Sequence, residues 1–214
     1  MNVALFGGTF DPVHCGHLAA AQAAQRSFAL DRVEFVAASN PPHKLDRTVT
    51  AFAHRYAMAA LACAGIKEFV PVLLEGPEES GGRPNYSIET VQRARRVLAA
   101  SDRLYFLLGA DAFLDLPHWH QWTALLEACD FILVSRPGFP IGEIARVIPA
   151  ELRTGPESAN TIPLRRSTVH LLTTVKADVS SSEIRRAAAA GKSLVGLVPE
   201  AVADYIQKQG LYRR

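Results

Sequence analysis

The feature that most constrains this chain is its first seventeen residues. A short apolar run, Val3-Ala4-Leu5-Phe6, leads into Gly7-Gly8-Thr9-Phe10-Asp11-Pro12-Val13-His14-Cys15-Gly16-His17, and a stretch rich in Ala, Leu and Gln follows. The pattern reads as strand, glycine turn and helix, with His14 and His17 at i and i+3 on the first helical turn. A helix N-terminus presents unpaired backbone N–H groups and the positive end of the dipole, so it attracts anions. Gly7 and Gly8 let the backbone approach a bulky anion without a Cβ clash. Gly16 keeps the space between the histidines open, and the spacing turns both rings the same way. The stretch reads as a phosphate-handling site. It is neither a G-x-G-x-x-G dinucleotide fingerprint nor a Walker loop, because no Gly-Lys-Ser/Thr follows. An i, i+3 histidine pair also suits a metal ion, but no carboxylate cluster accompanies this one.

Beyond that unit, strand-like and helix-like runs alternate. Strands are expected over 2–6, 32–38, 68–73, 104–108, 131–135 and 169–174, and helices over 18–28, 51–64, 87–99 and 122–128. Leu104-Tyr105-Phe106-Leu107-Leu108 is apolar throughout, as in a strand buried on both faces. Such alternation predicts an α/β fold with a doubly wound, mainly parallel sheet, whose ligands bind beyond the carboxyl ends of the strands. Residues 75–85, rich in Gly, Pro and Glu, read as an exposed loop, and 137–167, with five prolines, as an irregular segment. The tail, 182–190 and 199–209, reads as two C-terminal helices ending at Gly210. At 214 residues, a single domain over 1–214 is the expectation.

Composition excludes several classes. A net charge of +2 supplies no basic stripe for nucleic acid. No apolar run approaches a membrane span, and the N-terminus lacks the basic and apolar regions of a signal peptide. Three widely spaced cysteines, Cys15, Cys63 and Cys129, suit a reducing cytoplasm and argue against structural zinc. A homo-oligomer is left open.

Three further stretches carry chemistry. Val179-Ser180-Ser181-Ser182-Glu183-Ile184-Arg185 contains an S-x-x-E capping box at a helix start. Arginines in a first helical turn oppose the dipole by roughly 0.3–1 kcal/mol each, so Arg185 and Arg186 make sense there if an anion shares that end. In Ser39-Asn40-Pro41-Pro42-His43-Lys44 the prolines hold the segment extended, presenting His43 and Lys44 either at the carboxyl edge of the sheet or on a solvated turn. Gly109-Ala110-Asp111 ends a buried strand, placing the Asp111 carboxylate where it can accept from ribose hydroxyls. Trp119, in Pro117-His118-Trp119-His120-Gln121-Trp122, reads either as a core aromatic, the commoner case, or as a ligand platform, with little periodicity to bury it, and Ser87 is a credible N-cap.

G-G-T-F-D-P-V-H-C-G-H over residues 7–17 resembles the N-terminal motif of the nucleotidylyltransferase superfamily, and V-S-S-S-E-I-R over 179–185 resembles its C-terminal I-S-S-T-x-I-R element. Within that superfamily, N-P-P-H-K at 40–44, Y-S-I-E-T at 86–90, G-A-D with P-H-W at 109–119 and S-R-P-G at 135–138 resemble the bacterial nicotinate mononucleotide adenylyltransferases. The resemblance implies a Rossmann-like fold and transfer of the adenylyl group of ATP to nicotinate mononucleotide, giving the dinucleotide precursor of NAD and pyrophosphate. It implies catalytic roles for His14, His17 and Arg185, and ATP contacts from Gly7, Gly8, Thr9, Phe10, Gly16, Ser180, Ser181 and Ser182. Acceptor contacts are implied for Asn40, His43, Lys44, Tyr86, Ser87, Gly109, Asp111, Trp119 and Arg136, with Trp119 stacked on the pyridine ring. Mg²⁺ is implied on the ATP phosphates. Phosphopantetheine adenylyltransferases share the two end motifs but are typically shorter and lack P-P-H-K and P-x-W. A non-catalytic nucleotide-binding module is a rival that one assay for pyrophosphate release would separate.

Overall fold

The computed structural model describes residues 1–41, 49–135, 138–156, 158–173 and 179–213. Strands β1 (Asn2–Gly8), β2 (Arg32–Ala37) and β3 (Phe69–Val72) alternate with helices α1 (Cys15–Phe28) and α2 (Phe52–Cys63). A short helix α3 (Pro77–Ser80) and the longer α4 (Ser87–Val97) lead to β4 (Arg103–Gly109), α5 (Ala110–Leu114), α6 (Trp122–Ala128) and β5 (Asp130–Val134). Helix α7 (Ile141–Val147), β6 (Thr161–Pro163), β7 (Thr168–Leu172), α8 (Ser181–Ala189) and α9 (Glu200–Lys208) complete the order.

The seven strands form one sheet in the order β3-β2-β1-β4-β5-β7-β6. All neighbours are parallel except β6, which lies antiparallel to β7 at the edge. Period-two alternation divides the apolar side chains between two faces. Ala4, Phe6, Tyr105, Leu107 and Ile132 join α1, α2, α8 and α9 in one core. Val3, Leu5, Leu104, Phe106, Phe131 and Leu133 join α4, α5, α6 and α7 in the other. The expected doubly wound sheet is therefore present, with helices on both sides.

Two expectations need correction. The 137–167 segment is not structureless: it holds α7, a 3₁₀ turn at Ala150–Leu152 and strand β6. Its prolines act as punctuation, since Pro140 and Pro149 precede helical turns and Pro163 closes an edge strand, where a missing N–H is tolerated. The 75–85 loop is not simply exposed, because Glu75, Ser80 and Asn85 are buried. Its Gly, Pro and Glu content points to solvent, whereas hydrogen bonds to neighbouring segments draw these three side chains inward.

Strand order reverses between β1 and β4. The chain leaves β1 for α1 on one face and leaves β4 for α5 on the other, so a crevice opens above their carboxyl ends. Leu107, fully buried in the middle of β4, supports that crevice from below. Leu107→Ala should lower stability by about 2–5 kcal/mol, read as a reduced urea midpoint at unchanged slope.

Candidate active site

After Gly8 the chain passes through Phe10 in the left-handed region, at φ +48°. Phe10 is buried, with its ring edge-on to Phe6 and His17. A Cβ on Gly8 would lie 3.0 Å from that buried ring, so a larger residue there would need Phe10 to shift. At Gly7 a Cβ would make only ordinary contact, 3.6 Å from Phe106.

His14 is the N-cap of α1, and its Nδ1 accepts from the backbone N–H of His17 at 3.3 Å. Reciprocally, Nδ1 of His17 accepts from the backbone N–H of His14 at 3.2 Å. This is a capping box built from two histidines, their rings stacked with centroids 3.6 Å apart. A neutral imidazole with an accepting Nδ1 carries its proton on Nε2, a donor suited to a phosphate oxygen. Burial lowers the pKa of His14 from 6.5 to about 4, so this ring is neutral at physiological pH.

The histidines face a cavity of about 660 Å³ that is lined by Gly7, Gly8, Thr9, His14, Gly16 and His17 on the β1–α1 side. Its other side carries Gly109, Asp111, Trp119, Tyr86 and Ser87. Asp111 is in the first turn of α5, where a carboxylate complements the dipole. Trp119 follows the 3₁₀ turn Leu116–His118, half-buried and edge-on to Phe106. Tyr86, not Ser87, is the N-cap of α4 and makes no side-chain cap bond; its carbonyl takes the Glu89 N–H at 3.0 Å, and Ser87 opens the helix. The Tyr86 ring packs on His120 at 4.3 Å.

The C-terminal motif reaches the same place from the other end of the chain. Ser180 and Glu183 form the expected capping box. Ser181 Oγ donates to the carbonyl of Pro12 at 3.0 Å, and Arg185 donates from Nη1 to the carbonyl of Asp11 at 2.6 Å and from Nη2 to Ser182 Oγ at 3.2 Å. Arg185 is the fifth residue of α8, so it reaches back past the first turn. Of this motif Val179 lines the cavity, while Ser181 and Arg185 bind the Pro12 and Asp11 carbonyls, Ser180 pairs with Glu183 and Ser182 with Arg185; Phe10 is buried and is not part of the lining. Asn40 binds the Gly82 carbonyl beside Pro41, which lines the cavity. His43, Lys44 and Arg136 lie outside the described residues.

The geometry fits what comparison with known proteins finds. Residues 5–187 match the family model described as cytidylyltransferase-like. The "Probable nicotinate-nucleotide adenylyltransferase" of Solibacter usitatus is 43% identical over 212 residues, covering 99% of this chain and all of that protein. That of Pelobacter propionicus, under the same name, is 38% identical over 99% of this chain and 98% of its own length. The chain belongs to the nicotinate-nucleotide adenylyltransferase family. A Plasmodium falciparum nicotinic acid mononucleotide adenylyltransferase complexed with NaAD has the same fold, with a TM-score of 0.75 at 21% identity, covering 99% of this chain and 97% of that one.

For this family member, sequence reasoning missed three buried polar groups beside the cavity. Glu75 accepts from Thr90 Oγ1 at 2.6 Å, and burial pushes its pKa up. Asn85 Oδ1 accepts from Asn40 N–H at 2.7 Å and Ser39 Oγ at 3.0 Å. Arg55 shares the inward stripe of α2 with Met58, Ala59 and Ala62. A lone arginine at i of an apolar i, i+3, i+4, i+7 pattern was the available signal. The acidic loop offered none for Glu75 and Asn85.

The lowered pKa of His14 has a direct consequence for stability. The unfolded chain binds this proton near pH 6.5 and the folded chain only near pH 4, so protonation favours unfolding and stability falls as pH drops through that window. His14→Asn keeps a capping oxygen but cannot titrate. Melting temperatures from pH 7.5 to 4 should fall less steeply for this variant than for wild type.

Proposed function

We propose that a single nucleotidylyltransferase domain joins ATP to nicotinate mononucleotide in the cavity above β1 and β4. The observation that carries this reading is one cavity with the stacked pair His14 and His17 at one side and Trp119 beside the helix start at Ser87 at the other. The names of relatives matched over their full length support it.

In the reaction, an oxygen of the acceptor's 5′-phosphate attacks the α-phosphorus of ATP. A new P–O bond forms, the bond to the bridging oxygen breaks, and pyrophosphate leaves with that electron pair. The attacking oxygen is already anionic, so no general base is required. What remains is positioning and stabilisation of charge on the transferring group. Nε2–H donors of His14 and His17 and the backbone of Gly8–Phe10 serve the phosphates, joined by Arg185 from α8. Ser180, Ser181 and Ser182 extend the same anion site. Asp111 accepts from a ribose hydroxyl, and Gly109 leaves open space beside it. Trp119 stacks on the pyridine ring, and Tyr86 and Ser87 receive its carboxylate, while Asn40, His43, Lys44 and Arg136 complete the acceptor side. Mg²⁺ held on the ATP phosphates would neutralise part of their charge. Among the described residues no three His, Cys, Asp or Glu side chains gather as a metal cluster. We place this chemistry in the cytoplasm, which suits three free thiols.

Pyrophosphate release should require both ATP and nicotinate mononucleotide, and phosphopantetheine should not replace the acceptor. The helix start at Ser87 presents donors, so a carboxylate is matched and an amide NH₂ opposes donor to donor. Each mismatch costs about 1–3 kcal/mol, and kcat/KM should favour nicotinate over nicotinamide mononucleotide by roughly tenfold to a hundredfold. Equal values would remove the carboxylate role of the Tyr86–Ser87 turn.

His17→Ala should lower kcat by about 10²–10³ with little change in nicotinate mononucleotide affinity. Near wild-type turnover in the folded variant would remove His17 from the transition state.

A further inference from the structure

Arg55 is the most buried charged side chain among the described residues, at 1% exposure. Its guanidinium donates from Nε to the Thr50 carbonyl at 2.7 Å, from Nη1 to that of Thr9 at 2.7 Å, and from Nη2 to that of Ser39 at 3.3 Å. These carbonyls belong to three separate segments: the turn after β1, the end of β2 and the entry to α2. Burial lowers the pKa of Arg55, and the nearby Asp11 carboxylate opposes that shift. The Asp11 carboxylate itself takes the Thr50 N–H at 3.2 Å and the Tyr212 hydroxyl at 2.8 Å. A packing position alone would be filled by an aliphatic side chain without desolvating a cation. A guanidinium adds several donors in a fixed plane, which no other side chain offers.

From Ser39 the connections continue to the far side of the cavity. The Ser39 N–H donates to the Glu75 carbonyl at 3.1 Å and its Oγ to Asn85 Oδ1 at 3.0 Å. The Asn40 N–H donates to the same Oδ1 at 2.7 Å, and the Asn85 N–H returns to the Asn40 carbonyl at 3.0 Å. Asn85 immediately precedes Tyr86 and Ser87. Hydrogen bonds thus run from Thr9 through Arg55 and Ser39 to Asn85, joining the glycine turn to the start of α4.

We propose that Arg55 is a positioning residue that sets the distance between the ATP turn and the acceptor loop. It touches neither substrate, and the assignment rests on the two subsites described under the proposed function. Its effect is on the encounter of the acceptor phosphate with the α-phosphorus, where a displacement of about 1 Å costs on the order of a hundredfold in rate.

Arg55→Lys keeps the charge but replaces a three-way fork with a point donor. Titration of a non-hydrolysable ATP analogue and of nicotinate mononucleotide, each alone, should give affinities within about threefold of wild type, while kcat falls on the order of a hundredfold. Asn85→Ala, at the other end of the link, should show the same split between affinity and kcat. In the double variant the loss in kcat should not exceed that of the worse single variant, because both break one connection. Unchanged kcat in the folded variants, or multiplying losses in the double variant, would overturn the proposal. So would affinities for both substrates falling together with the melting temperature, the mark of a purely structural arginine. Should Arg55→Lys fail to fold, Asn85→Ala alone decides by the same split. Absence of turnover by wild-type enzyme with these two substrates would instead defeat the functional reading itself.

Discussion

The structure depends on the parallel pairing of β1 with β4, Val3 opposite Leu104 and Phe6 opposite Leu107, at the one place where the winding of the chain reverses. Each strand must send its crossover helix to a face of the sheet, and here the two helices depart to opposite faces. Nothing from either crossover covers the carboxyl ends between them. Backbone donors at the start of α1 and the side chains after Gly8 and Gly109 are left around a single cavity. Both buried cores hold those strand ends in place, which is why the site sits on rigid elements.

Around that crevice, segments distant in sequence are tied by polar contacts to the turn after β1. Asp11 is the hub: its carbonyl takes Arg185 of α8, and its carboxylate takes Thr50 and Tyr212. Arg55 binds the neighbouring Thr9 carbonyl. Such bonds are stronger in a low dielectric, and an unmet partner there is more costly, so the network behaves as a unit. The paired histidines belong to the same logic. Each Nδ1 is consumed by a backbone N–H of the other residue, leaving a neutral ring a single tautomer. The same two side chains cap the helix and turn their Nε2 atoms, the donors of a neutral ring, away from those cap bonds.

Much of this was legible from residues alone because the relevant physics is local. Apolar runs such as 104–108 and the Ala-rich stretch after His17 carry their periodicity in neighbouring positions, and strands and helices formed near the expected places. The S-x-x-E signal gave a true capping box at Ser180, since both partners lie within one helical turn. Proline density in 137–167 reads as irregularity, yet Pro140 and Pro149 stand where helical turns begin and Pro163 where an edge strand ends.

By itself, the sequence determined the winding of the sheet, the glycine turn with its histidine pair, and the chemical class of the site. Each follows from residue types a few positions apart. Tertiary structure alone decided that Gly8 answers to the ring of Phe10, that Arg55 turns inward with three carbonyls around it, and that Asn85 ties the segment after β2 to the start of α4. It also brought α8 and the C-terminal Tyr212 onto Asp11, partners 174 and 201 residues apart in the chain. The physical reason is that burial and hydrogen-bond partnership at such separations are properties of a packed interior. No local propensity encodes which distant carbonyl a buried guanidinium will meet.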